Sequence, residues 1–162
     1  MNNLYNSFYN WCQQNNWALI ENKQGLVSLH SSVSERYQNI PVQYRVFLAK
    51  FKSIVSPDQT TWFLCEDDYN GTSETAFCWN EFEKLSLDAA TGDNAWEKEI
   101  TMWWDNNFPI ILSVRGSYSF YAIDMSSHAI VKGTEPEFEE ARKIASNFEE
   151  FLQLVIAGTI EL

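Results

Sequence analysis

Histidine is nearly absent from this chain: His30 and His128 are the only two imidazoles in 162 residues. Neither sits in a Gly-x-Ser-x-Gly, His-x-Glu or His-Glu-x-x-His setting, so no nucleophile, base or metal constellation is motivated. The chain therefore reads as a non-enzyme, with no cofactor and no metal. Cysteine is scarce as well. Cys12, Cys65 and Cys78 are odd in number and lack metal-type spacing, which suits free, mostly buried thiols in a reducing cytoplasm. No run of about 18 apolar residues occurs, which rules out a spanning helix and any membrane role of that kind. The opening MNNLYNSFYNWCQQNNW has no basic region followed by an apolar core and is not a signal peptide. Without secretion, the glycosylation match at Asn70-Gly71-Thr72 has no consequence. Six Gly and four Pro are too few for a disordered chain.

What is present is core material. Hydrophobic residues make up 45% and aromatics 15%, with seven Trp, and at this length roughly two-thirds of the unfolded surface is buried on folding, so residues 1–162 form one domain. Charge is unbalanced, at −11 net. Residues 1–52 hold two acids (Glu21, Glu35) against five bases (Lys23, Arg36, Arg45, Lys50, Lys52), while the remainder holds twenty acids and six bases, a net −14. Such a surface repels phosphate backbones, which argues against direct nucleic-acid binding, and steers a basic protein partner toward it; the plainer reading is solubility alone.

Periodicity supplies the elements. Leu4, Phe8 and Trp11, widened by Tyr5, Tyr9 and Cys12, predict an amphipathic helix over 3–15, and 16–25 breaks the pattern with a turn at Gly25. Ser32-Val33-Ser34-Glu35 has capping-box form and opens a short helix with Val33, Tyr37 and Ile40 on its apolar face. Pro41 then starts a helix running through Tyr44, Phe47, Leu48 and Phe51 to about Ser53. Thr60 to Cys65 predicts a strand, Glu66 to Gly71 an acidic loop, Thr75 to Trp79 a second strand, and Asn80 caps a helical turn through Phe82 and Leu85. Past the breaker at Thr91 to Asn94, Trp96, Ile100 and Trp103 share a helical face. Adjacent Trp104 is then either a half-exposed interface anchor or tucked under a neighbouring loop.

Phe108 to Leu152 reads as a strand meander closed by a helix. Pro109 opens a strand, Gly116 signals a two-residue type II′ hairpin, Phe120 to Met125 alternate, and Ala129 to Lys132 form a third strand after the turn at Ser126 to His128. Gly133 to Pro136 ends the sheet, Glu137, Glu139 and Glu140 make a solvated connector with a helical turn, and Ser146 to Glu149 repeats the capping-box form ahead of Phe148, Phe151, Leu152 and Val155. The fold class is α+β, a mostly antiparallel sheet flanked by helices. One further motif is superficial: Glu66-x-Asp68-x-Asn70-Gly71 copies the start of a calcium loop, but Phe77 stands where the bidentate Glu is needed.

The order Ile40-Pro41, Tyr44, Phe47-Leu48, then Phe108-Pro109-Ile110, Tyr121-Ala122-Ile123-Asp124 and Ser146-Asn147-Phe148-Glu149-Glu150-Phe151-Leu152 resembles the SUKH superfamily, which includes the fungal Smi/Knr cell-wall assembly regulators. The resemblance covers about residues 33–156. It implies a helix-wrapped sheet, no catalysis and protein binding, in bacteria as an immunity protein that neutralises a polymorphic or contact-dependent toxin, often a nuclease. The chain departs from the family pattern in the long run from Ser56 to Asp68 and in the reduced hairpin Arg115-Gly116-Ser117, the loops that border the family's partner-facing region. The partner-binding residues expected on this basis are Glu66, Asp67, Asp68, Trp79, Arg115, Tyr118 and Asp124, acting against a basic protein surface as a monomer or weak homodimer. The competing readings are a housekeeping regulatory module with an endogenous partner and a small hydrolase with a cleft converging on His30 or His128.

Overall fold

Continuous apolar runs in the second half of the chain decide the layering. The computed structural model describes residues 2–75, 77–134 and 137–162. Its elements run α1 (Asn2–Gln14), β1 (Ala18–Glu21), α2 (Ser31–Arg36), α3 (Val42–Lys50), β2 (Phe51–Val55), β3 (Thr61–Phe63), α4 (Glu66–Tyr69), α5 (Glu81–Ala89), α6 (Asn94–Asn106), β4 (Asn107–Ser113), β5 (Ser119–Asp124), β6 (Ile130–Thr134), β7 (Glu137–Ala145) and α7 (Phe148–Ile156). Among the described residues the seven strands make one antiparallel sheet in sequence order, β1 to β7. This is the expected α+β class. No helix among those residues is long and apolar enough to cross a membrane.

β4 and β5 lie mid-sheet with every residue from Phe108 to Ser113 and from Phe120 to Ile123 buried, which is why both strands read as unbroken apolar runs. Cross-strand partners share a face, so the pair Leu112↔Phe120 points one way and Ile111↔Tyr121 the other. On the Tyr121 side lie α1, α3 and α7: Phe8 and Phe47 pack on Phe63 at 5.3 and 5.5 Å, Phe148 on Phe47 at 5.0 Å, and Phe151 on Tyr121 at 5.3 Å. On the Phe120 side lie α5 and α6, with Trp104 at 4.9 Å and Phe82 at 6.3 Å from the Phe120 ring.

Several elements differ from the sequence expectation, each for a tertiary reason. The helix expected to reach Ser53 stops at Lys50, because Phe51 turns extended (φ −121°, ψ 130°) and Phe51–Val55 pairs with Ala18–Glu21, a strand inside the stretch read as a break. The acidic stretch after Cys65 is the short helix α4. Thr75 to Trp79 forms no strand among its described residues; Phe77 instead lays its ring edge-on against Trp62 and Tyr118. The sheet does not end at Gly133: β6 runs to Thr134 and β7 occupies the place of the acidic connector and its helical turn, while Glu135-Pro136 lies outside the described residues. Val114–Tyr118 is a five-residue connection with Gly116 at φ +74°, wider than the two-residue hairpin expected. Pro109 is the third residue of β4 and falls at a register shift, where its missing N–H interrupts no regular ladder bond.

Both capping boxes resolve differently. α2 is capped by His30, whose Nδ1 accepts from the Ser32 N–H at 3.2 Å. At α7 the box is offset by one: Asn147 Oδ1 accepts from Glu150 N–H at 2.9 Å and Glu150 Oε2 accepts from Ser146 N–H at 2.6 Å. Trp104 is 2% exposed, which overturns the interface-anchor reading; Trp103 touches the same Phe120 ring from the side at 5.4 Å, and Trp96 is left 41% exposed.

Candidate functional site

One strip of the sheet carries a groove. Register puts Ala18, Ile20, Ser53, Val55 and Trp62 on a common face of β1, β2 and β3, through Ala18↔Val55, Ile20↔Ser53 and Val55↔Trp62. These residues floor a groove of about 730 Å³, with Lys52, Asp67, Glu74 and Gln59 around it and Ile20 57% exposed on its floor. The β1 part of the floor is apolar because an edge strand of sequence Ala-Leu-Ile has no polar residue to offer on either face until Glu21; Ser53 is the one polar residue in the floor.

α4 builds the acidic wall. Its first turn is closed by Asp68, whose Oδ2 accepts from the Cys65 N–H at 2.7 Å while Oδ1 accepts from Thr75 Oγ1 at 2.9 Å. Asp68 is buried, and burial pushes its carboxyl above the ordinary value of 3.8 despite those bonds. Asp67 turns outward instead, 3.4 Å from Lys52 Nζ. Glu66 faces away from the groove and accepts from Ser28 N–H at 2.9 Å, and Asn70 completes that tie by accepting from His30 N–H at 2.7 Å and donating to Ser28 O at 2.8 Å.

The other expected contact residues fall elsewhere. Trp79 is half-buried against Tyr37 and Tyr69, with the Arg36 guanidinium 6.0 Å from its ring; Arg36 is held by two 2.7 Å bonds to Glu83 and a third to Asp105. Arg115 is exposed at the β4–β5 tip, 3.6 Å from Asp58, whose carboxyl is lowered to about 2 by hydrogen bonds from Ser56 and Thr60. Tyr118 stacks on Phe82 at 5.6 Å. Asp124 stands at the opposite end of β5 from that tip, accepting from Ser126 N–H and Oγ and from Ser127 Oγ in a side-chain-closed turn. Burial alone would raise its carboxyl, but the Ser127 and Ser126 bonds outweigh this and hold it low.

Of the seven residues, then, Asp67 and Asp68 line the groove; Asp68 is buried, while the Asp67 side chain is 38% exposed and ion-paired with Lys52. Ile20, Val55, Trp62 and Glu74 line it as well and were not singled out from sequence. The one signal that could have found Ile20 is the four-residue apolar run Trp17-Ala18-Leu19-Ile20 inside an otherwise polar stretch; nothing local marks Val55, Trp62 or Glu74.

Candidate chemistry elsewhere is dispersed. His30 serves as a helix cap, and His128 sits exposed in the β5–β6 turn at φ +61°. Among the described residues no three His, Cys, Asp or Glu side chains gather as metal ligands would. Cys12 and Cys65 are buried, and burial pushes the Cys12 thiol up to about 12; Cys78 is half-buried with Lys84 Nζ 3.0 Å from its sulfur. Comparison with protein-family models, curated proteins and solved structures finds no match to this chain.

Proposed function

We propose that this chain is a non-enzymatic protein-binding module that masks a basic partner surface, in the manner the SUKH resemblance implies: an immunity protein that neutralises a cognate toxin of the nuclease type. The observation that carries the proposal is where the acid lies. Residues 66–105, the segment of α4, α5 and α6, hold eleven acids and two bases, and its α4 end forms the acidic wall of the open sheet groove. Two of those acids, Asp68 and Glu83, are buried; the others keep at least partial access to solvent. A cationic cleft shaped to hold a phosphate backbone is attracted to such a layer, which raises the association rate and places Asp67 and Glu74 opposite its bases. Binding then occludes the cleft without any reaction on this chain.

The test is a titration of a purified cognate toxin domain of the basic nuclease type at rising ionic strength. The expected outcome is an association that weakens steadily with salt, together with loss of toxin activity. An association indifferent to salt, or none at all, sinks the proposal.

A further inference from the structure

Of the three thiols, Cys78 alone is within reach of solvent, and a lysine amine stands against it. Lys84 Nζ donates to the Cys78 sulfur at 3.0 Å, while on its other side the thiol donates to Glu81 Oε2 at 2.8 Å. The backbone fixes the pair. Glu81 N–H donates to Cys78 C=O and Lys84 N–H to Asn80 C=O, each at 3.1 Å, which sets Cys78 just ahead of α5 and Lys84 at the end of its first turn. The residues flanking Cys78 are anchored as well: Phe77 lies against Trp62 and Tyr118, and Trp79 against Tyr37 and Tyr69. Lys84 is exposed, and among the described residues no salt bridge draws its ammonium elsewhere. A lysine cation beside a sulfur favours the thiolate, the form that peroxide oxidises. The same nitrogen already stands at near-attack distance, roughly 3–3.5 Å for reacting atoms.

We infer that Cys78 and Lys84 form an oxidation-dependent cross-link: hydrogen peroxide converts the thiol to a sulfenic acid, and the Lys84 amine captures it as a sulfenamide. In the first step the thiolate sulfur takes one peroxide oxygen and the O–O bond breaks. The other oxygen leaves as hydroxide, which the displaced thiol proton turns to water; sulfur is oxidised and peroxide reduced. In the second step the neutral Nζ attacks Sγ, the S–N bond forms as the S–O bond breaks, and the hydroxyl leaves as water with one amine proton. Thiol, amine and one peroxide thus give the sulfenamide and two waters. An external thiol reverses it by attacking the sulfur and releasing the amine, and a second thiol resolves the mixed disulfide. Capture holds the sulfur short of the irreversible sulfinic acid. None of this depends on the proposed protein-binding role.

The full chain is treated with dilute hydrogen peroxide, digested with trypsin without reductant and mapped by mass spectrometry. Lys84→Arg is run beside it, keeping the cation without a nucleophilic amine. The expected result in the native protein is loss of cleavage after Lys84, in a fragment two hydrogens lighter than its reduced form, with dithiothreitol restoring both mass and cleavage. In Lys84→Arg cleavage at position 84 persists and Cys78 goes on to the sulfinic acid, a gain of two oxygens. Oxidation in concentrated urea, where the contact is lost, is expected to give no link. Cleavage after Lys84 that persists in the oxidised native protein overturns the inference, whether Cys78 is then a thiol, a sulfinic acid or a disulfide. A link that forms equally well in urea overturns it too, since the fold would then not be what positions the pair.

Discussion

Arg36 is the residue on which most charge depends. It donates to Glu83 at 2.7 Å through both terminal nitrogens and to Asp105 through Nε, and the Glu83 side chain is only 8% exposed. Arg36→Met removes the cation and leaves that carboxylate buried and unpaired, so a loss of about 3 kcal/mol is expected in urea denaturation. Asp68 works in the opposite sense to a paired carboxylate. Because burial raises its folded-state pKa, its protonated form is the favoured one; its contribution is full below the ordinary value of 3.8 and is lost as pH rises through the raised value. Asp68→Asn is expected to flatten the decline of stability with pH in that window, measured as the urea midpoint across the acid range. Asp58 and Asp124, whose pKa values are lowered, contribute above the ordinary carboxylate value and lose that contribution as pH falls, so the Asp68 effect appears as a difference between variant and native protein.

Among the elements, α6 shows how a helix face is chosen. Trp96, Ile100 and Trp103 satisfy helical spacing, but the face that meets the sheet is Ile100, Trp104 and part of Trp103, because α6 runs straight into β4 and its last turn lies over Phe120. Trp104→Ala is expected to cost about 3–5 kcal/mol, while Trp96→Ala stays within about 0.5 kcal/mol of the native protein; thermal and chemical unfolding of the two variants decide it. α7 was legible for a plain reason: Phe148, Phe151, Leu152 and Val155 are all buried, and the stripe depends only on local spacing. β1 and β7 were not. A four-residue strand and a charged nine-residue strand acquire their state from the neighbour each pairs with, and no local pattern carries that.

For the molecule as a whole, the core reports on global opening. Cys12 and Cys65 are buried in it and Cys78 is reachable, so brief alkylation of the native protein is expected to label Cys78 alone and unfolding to expose all three thiols. Native labelling of Cys12 or Cys65 would mean that the α1 side or the α4 turn opens locally. The sequence by itself determined the α+β class, the central meander of β4, β5 and β6, the amphipathic faces of α1, α3 and α7, and the uneven charge, since each depends on composition or on spacing within a few residues. Tertiary structure alone decided that Asp68 and Asp124 spend their oxygens on internal turns while Asp67 stays outward, that the expected contact residues are spread over both ends of the sheet, and that β1 lies at an open edge beside an apolar groove. Those outcomes depend on which distant strands and loops come together, and burial and hydrogen-bond satisfaction are settled only once they have.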